Sequence, residues 1–197
     1  MTEPRRAPAT KRGQDTRAAL LRAAEEVIGA KGFAAASIAD ITRAAGIAQG
    51  TFYIYFDGKE AIFRELVAEM GRFTRRTLSE AVGGTRDRLE AERIGLRTFL
   101  EIAATRPMLY NIVEEARFVD PPSHDAYFEG FAQRYARNLE AAAREGTIRP
   151  GSAEIRAWAL MGLAVTLGQR YGLRNPDADR DAVVAEVFDM LERGLRP

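Results

Sequence analysis

The amino-acid sequence predicts an all-α fold of about nine helices. Apolar residues recur three and four positions apart along nearly the whole chain, the spacing that gathers them on one face of a helix. No stretch keeps the strict apolar–polar alternation of a half-buried strand between turn residues. Glycine, proline and asparagine instead cut the helical pattern into segments.

A first helix is expected from Asp15 or Thr16, either able to cap it, with Leu20, Leu21, Ala24, Val27 and Ile28 on one face. Lys31-Gly32-Phe33 ends it, Gly32 supplying a left-handed turn and Phe33 folding back as the apolar partner. Ser37 caps a short helix, Ile38 to Ala45, with Asp40 completing a capping box. Gly46 breaks it, and another short helix runs from about Gln49 to Tyr55. Asp57 caps a longer helix with Glu60 three residues on; its buried stripe is Ile62, Phe63, Leu66, Val67, Met70 and Phe73. Beyond Gly83-Gly84, a helix from about Asp87 to Thr105 carries Ile94, Phe99 and Ile102. Pro107 suits the first turn of the next, which Asp120-Pro121-Pro122 ends. Ser123 caps a helix to about Glu145, and Gly146 and Pro150-Gly151 interrupt again. Two final helices, about Ala153 to Tyr171 and Asp179 to Gly194, are separated by Asn175-Pro176.

A chain of 197 residues can bury a core without covalent staples. The absence of cysteine excludes disulfides, thiolate zinc sites, iron–sulfur clusters and thiol nucleophiles. A single histidine, His124, argues against an imidazole-rich metal site or a Ser-His-Asp triad. The net charge of +1 hides an asymmetry: residues 1–76 hold 13 Lys and Arg against 9 Asp and Glu, residues 77–197 hold 16 against 19. The longest uncharged apolar run, Ala157 to Gly168, is too short to span a bilayer, and no apolar segment follows the basic start. A soluble, cytoplasmic protein without a membrane partner is expected. Residues 1–14, with Arg5, Arg6, Lys11 and Arg12, are expected as a disordered basic arm able to follow a minor groove or phosphate backbone.

Three features converge within residues 37–60. Two short helices meet at Gly46 between small and apolar residues, the arrangement of a helix-turn-helix whose second helix enters a DNA major groove. Gln49, Gly50, Thr51, Tyr53 and Tyr55 give that helix hydrogen-bonding groups and a glycine that permits close backbone approach. Arg43 and Lys59 flank it, and the start of the Asp57 helix offers N–H groups to a phosphate. Short helix pairs of this shape also occur without any role at DNA.

The run SIADITRAAGIAQGTFYIYFDGKE, residues 37–60, resembles the signature of the TetR-type (TetR/AcrR) transcriptional regulators, and the likeness covers about residues 15–65. The resemblance implies a helix-turn-helix domain over residues 15–60 and a helical ligand-binding and dimerisation domain over 61–197. It also implies a ligand-responsive regulator, most simply a dimeric repressor of double-stranded operator DNA. By position, Ser37, Tyr53, Tyr55 and Lys59 would hold phosphates, and Arg43, Gln49, Gly50 and Thr51 would lie near base edges, with Phe52 and Phe56 packing. A tyrosine ring packs on protein while its hydroxyl reaches a phosphate, and a glutamine amide pairs bidentately with adenine. Two departures stand out. Ala48 replaces the usual Ser or Thr cap, a loss of about 1 kcal/mol. Asp57-Gly58 replaces a proline and a small residue, putting a negative charge near phosphates.

The second half shows no catalytic constellation, no glycine-rich phosphate loop and no HExxH run, so neither metal nor cofactor is expected. Glu114, Glu115, His124 and Asp125 read as solvated charges rather than metal ligands. Phe99, Met108, Tyr110, Ile112, Phe118, Tyr127, Phe128, Phe131, Tyr135, Trp158 and Met161 exceed the needs of a tight Leu/Ala core. Together they suggest a pocket for an apolar or aromatic inducer, with Arg117 or Arg134 available to a carboxylate or phosphate. Trp158 to Gly168 is apolar almost all round, and the last helix aligns Val184, Val187, Phe188 and Leu191. With Gly162 and Val165 these form the expected homodimer interface, which would set two recognition helices in successive major grooves. An all-helical small-molecule-binding enzyme and an adaptor with no DNA role are the rival readings; the poverty in His and Cys weighs against the enzyme.

Overall fold

A computed structural model describes residues 10–195. Among them lie nine α-helices and no strand: α1 Lys11–Lys31, α2 Ile38–Ala45, α3 Gln49–Tyr55, α4 Lys59–Val82, α5 Arg88–Thr105, α6 Pro107–Val119, α7 Pro121–Arg144, α8 Ala153–Leu167 and α9 Arg180–Leu195. The all-α expectation holds, and the bounds of α2 and α3 fall where Ser37, Gly46 and Phe56 put them.

Three boundaries differ from expectation. The first helix begins at Lys11, because the Thr10 hydroxyl accepts from the Gly13 N–H at 3.2 Å and caps it. Thr10 is therefore a cap and Lys11–Gln14 are helical rather than part of an arm; residues 1–9 of that expected arm lie outside the described residues. The seventh begins at Pro121, not after Ser123, since proline in a first turn forfeits only an N–H that has no helical acceptor. Asp120 lies just before it: its main-chain oxygen accepts from the Ser123 and His124 N–H groups, and its carboxylate from the Ser123 hydroxyl. At the C-terminal end of α8 the chain widens into a π-helical turn, Gly168–Leu173. Two glycines there face α5. A Cβ at Gly168 would stand 2.8 Å from the Phe99 ring, and one at Gly172 would stand 2.6 Å from Ala103.

The described residues form two compact units. One holds residues up to Gly71 together with Met108–Asp125, and its core includes Leu20, Ile28, Ile41, Phe52, Phe63 and Ile112. The other holds Arg72–Pro107 and residues from Ala126 on. Its core includes one cluster of Leu89, Leu139, Ile148, Ala157 and Leu160 and another of Leu96, Leu100 and Val184. Arg97–Asp181 at 2.5 Å and Arg180–Glu101 at 2.9 Å join α5 to α9. No described helix is long and apolar enough to cross a membrane.

Candidate functional site

The turn between α2 and α3 is set by local chemistry. Ser37 accepts from the Asp40 N–H at 3.1 Å, and the Asp40 carboxylate reaches back to the Ser37 N–H and hydroxyl. The Ser37 hydrogen bond, with help from Lys31 at 3.3 Å, holds the Asp40 carboxyl below its ordinary range, so the box is intact at neutral pH. At the other end Gly46 takes the left-handed conformation, φ 66°, and the Ile47 N–H closes on the Thr42 carbonyl at 2.9 Å.

No side chain caps α3, as Ala48 foretold, and Phe52 is the side chain it buries. The Phe52 ring meets Tyr53 edge-on and Phe56 at a tilt, each at 5.5 Å. Ser37, Arg43, Gln49 and Gly50 are exposed, Tyr53 is 45 % exposed, and Thr51 and Tyr55 are half-buried. A Cβ added at Gly50 would meet nothing within 4 Å, so packing within the protein does not require glycine there. Ile54 belongs to the same surface at 65 % exposure, although the sequence reading gave it no role.

Lys59 is placed differently from the rest of the expected phosphate set. Its ammonium donates to the Phe33 carbonyl at 2.6 Å and the Ala36 carbonyl at 2.8 Å, and sits 4.3 Å from the Phe33 ring centroid. Two of its three donors thus clasp the α1–α2 loop, which makes it first a fold-holding residue.

A second clasp ties α6 to α1. The Glu115 carboxylate accepts from the Phe33 N–H through both oxygens, at 2.8 and 2.9 Å. Four residues earlier on α1, Gly29 lets the helices touch: a Cβ there would stand 2.5 Å from that of Met108. Glu115, read from sequence as a solvated charge, is therefore an anchor; its spacing on α6 carried no hint of its distant partner.

The expected pocket residues divide between the two units. Met108, Tyr110, Ile112 and Phe118 belong to the first unit; Phe99, Phe128, Phe131, Tyr135, Trp158 and Met161 belong to the second. Phe118 stands 83 % exposed and lines no interior, because it points from the face of α6 opposite buried Val113 and Ala116. Within the second unit Tyr127, Phe128 and Phe131 do cluster, the Tyr127 ring lying 5.1 Å from each of the others. Arg75 lies over Phe131 at 5.2 Å; burial and the charges of Arg134 and Arg72 lower its pKa against an opposing effect of Tyr127.

Tyr135 belongs to a polar group that the sequence reading missed. Its hydroxyl donates to Glu92, which is buried and paired with Arg88 at 2.6 Å. Desolvation outweighs both partners and raises the Glu92 pKa, while burial and then the Glu92 charge raise that of Tyr135. The one-turn spacing of Arg88 and Glu92 was the available signal.

The residues of the expected dimer face differ in burial. Val184 is buried in the core, and Val187, Phe188 and Leu191 are partly buried against the two core clusters. Exposed large apolar side chains lie on both helices, Ile155 at 69 % and Trp158 at 44 % on α8 and Met190 at 58 % on α9, and Gly162, one turn beyond Trp158, is exposed with room around it.

Residues 20–66 match the family described as bacterial regulatory proteins, tetR family. Over 193 residues, 94 % of this chain and 95 % of its own length, an uncharacterized HTH-type transcriptional regulator of Bacillus subtilis strain 168, YdgC, is 27 % identical. The FadR transcriptional regulator of Bacillus subtilis, solved with stearoyl-CoA, superposes with a TM-score of 0.77 at 22 % identity, covering 88 % of this chain and 96 % of that one. AibR, solved with isovaleryl coenzyme A and operator DNA, superposes at 0.71 and 16 % identity over 89 % and 97 %. At these identities the two structures share the fold.

Proposed function

We propose that this chain, whose residues 20–66 match the tetR family of bacterial regulatory proteins, is a DNA-binding transcriptional regulator that acts as a dimeric repressor released from its operator by a lipophilic or aromatic small molecule. The observation that carries the DNA side is the surface of α3. A glycine in a helix costs about 1 kcal/mol relative to alanine, and Gly50 meets no neighbour that would repay it. Close approach of an outside backbone accounts for it. Gln49 and Arg43 are then the base readers, and Ser37, Tyr53 and Tyr55 the phosphate contacts. Lys59 positions the turn that carries them.

The ligand side is supported by the Tyr127–Phe128–Phe131 cluster with Arg75 beside it, aromatic side chains next to a cation. It is supported too by the acyl-CoA molecules bound to FadR and AibR. A molecule pairing an apolar chain with an anionic group fits this chemistry. It releases DNA only if it binds the DNA-incompetent form more tightly, so ligand and operator weaken each other equally. The clasped α6 is the element through which the first unit would register the change.

Dimerisation through Ile155, Trp158 and Gly162 of α8 would supply the second recognition helix. Fluorescence anisotropy with the protein's own upstream DNA tests the whole reading. Binding should fall steeply with salt, weaken in Gln49→Ala with Tyr53→Phe, and reverse on addition of stearoyl-CoA or another lipophilic compound. Trp158→Arg should give monomers by sedimentation and lose operator binding. Salt-independent DNA binding, or release only by small polar metabolites, would contradict it.

A further inference from the structure

Successive residues of a helix turn by about 100°, so Gly50 and Ile54 lie about 40° apart and each about 160° around from Phe52. Phe52 is the fully buried anchor of α3. The Gly50–Ile54 line is therefore the outermost crest of the helix, with Gln49 and Tyr53 on one flank and Thr51 and Tyr55 on the other. Exposure follows this geometry: Ile54 is 65 % exposed and the two residues of the second flank are half-buried. A β-branched aliphatic side chain at the crest of a short helix stabilises nothing within the chain.

Resting on the reading of α3 as a recognition helix, we propose that Ile54 determines sequence specificity by packing against the 5-methyl groups of thymines in the major groove. The major-groove edge of an A·T pair presents that methyl, the one apolar feature any base pair offers there. Ile54 has no hydrogen-bonding atom, so phosphates and the donor and acceptor groups of the bases give it nothing. Gly50, one turn earlier on the same crest, keeps the helix backbone low enough for Ile54 to reach the base edge. Gln49 on the flank remains free to read an adjacent pair by hydrogen bonds, so Ile54 adds a methyl requirement beside it.

The full-length protein is used to enrich binding sites from a pool of randomised duplexes. Each thymine of the enriched site is then replaced by uracil in both half-sites, which removes the methyl and leaves base pairing intact. Burial of one methyl-sized group corresponds to about a four-fold change in affinity. At one or two thymines per half-site the wild-type protein should lose about that factor per methyl. Ile54→Ala should bind the thymine site more weakly, keep the wild-type melting temperature, and show no loss at the same replacements. Ile54→Val should retain an intermediate loss. Equal sensitivity of wild type and Ile54→Ala at every position overturns the role of Ile54 alone. Failure to enrich any duplex overturns the DNA reading and the role of Ile54 with it.

Discussion

At the scale of single residues, Gly50 and Glu92 show opposite ways in which a position can be costly to the fold. A Cβ at Gly50 has open space, so Gly50→Ala should raise the unfolding free energy by about 0.5–1 kcal/mol, read in urea titrations. The same variant should bind operator DNA more weakly, since the added methyl sits on the crest that we propose enters the groove. Glu92 pays its cost in protonation. Its pKa is raised from the ordinary 4.5, so the folded protein holds this proton more tightly than the unfolded chain. Its contribution to stability is therefore greatest below that ordinary value and is lost as pH rises through the folded-state pKa. Glu92→Gln, which mimics the protonated acid, should abolish this dependence. Urea denaturation from about pH 4 to 8 should show the wild type gaining on the variant toward acid. Asp40 and Asp181, both lowered, act in the opposite direction at lower pH.

At the scale of elements, the short helices are the ones most clearly written in the sequence. Ser37, Asp40 and Gly46 act on neighbours within a few residues, so α2 could be bounded from local chemistry. The partner of Glu115 is 82 residues away, and no local pattern announces a bond to the Phe33 N–H. Likewise the stripe Val184, Val187, Phe188 and Leu191 was legible as apolar, but periodicity states that a face is covered without saying by what. The chain itself buries Val184 and covers Val187, Phe188 and Leu191 in part. Composition likewise does not reveal that Met108 and Tyr110 belong to one unit and Phe128 and Phe131 to the other. The clasp between α6 and α1 carries its own prediction. Glu115→Ala leaves a partly buried N–H unpaired and should cost about 1–2 kcal/mol in thermal or urea unfolding. If α6 relays the ligand, the same variant should bind operator and ligand yet lose most of the factor by which one weakens the other, measured by anisotropy at saturating ligand.

At the scale of the whole molecule, the two compact units do not follow the order of the chain. Met108–Asp125 completes the unit that carries α3, through Gly29 against Met108, Phe33 on Glu115, and Arg64 beside Asp120 at 3.6 Å. A fragment ending at Gly71 lacks buried Leu109, Ile112, Val113 and Ala116 and should show no cooperative melting by circular dichroism, although it contains the entire helix-turn-helix. The same discontinuity bears on biosynthesis. A ribosome adding about 5–20 residues per second needs roughly 3–11 s to travel from Gly71 to Asp125. Throughout that interval the nascent N-terminal helices wait with part of their core unfilled. The unit that carries α3 therefore cannot complete its core until Asp125 has been made, well after α3 itself.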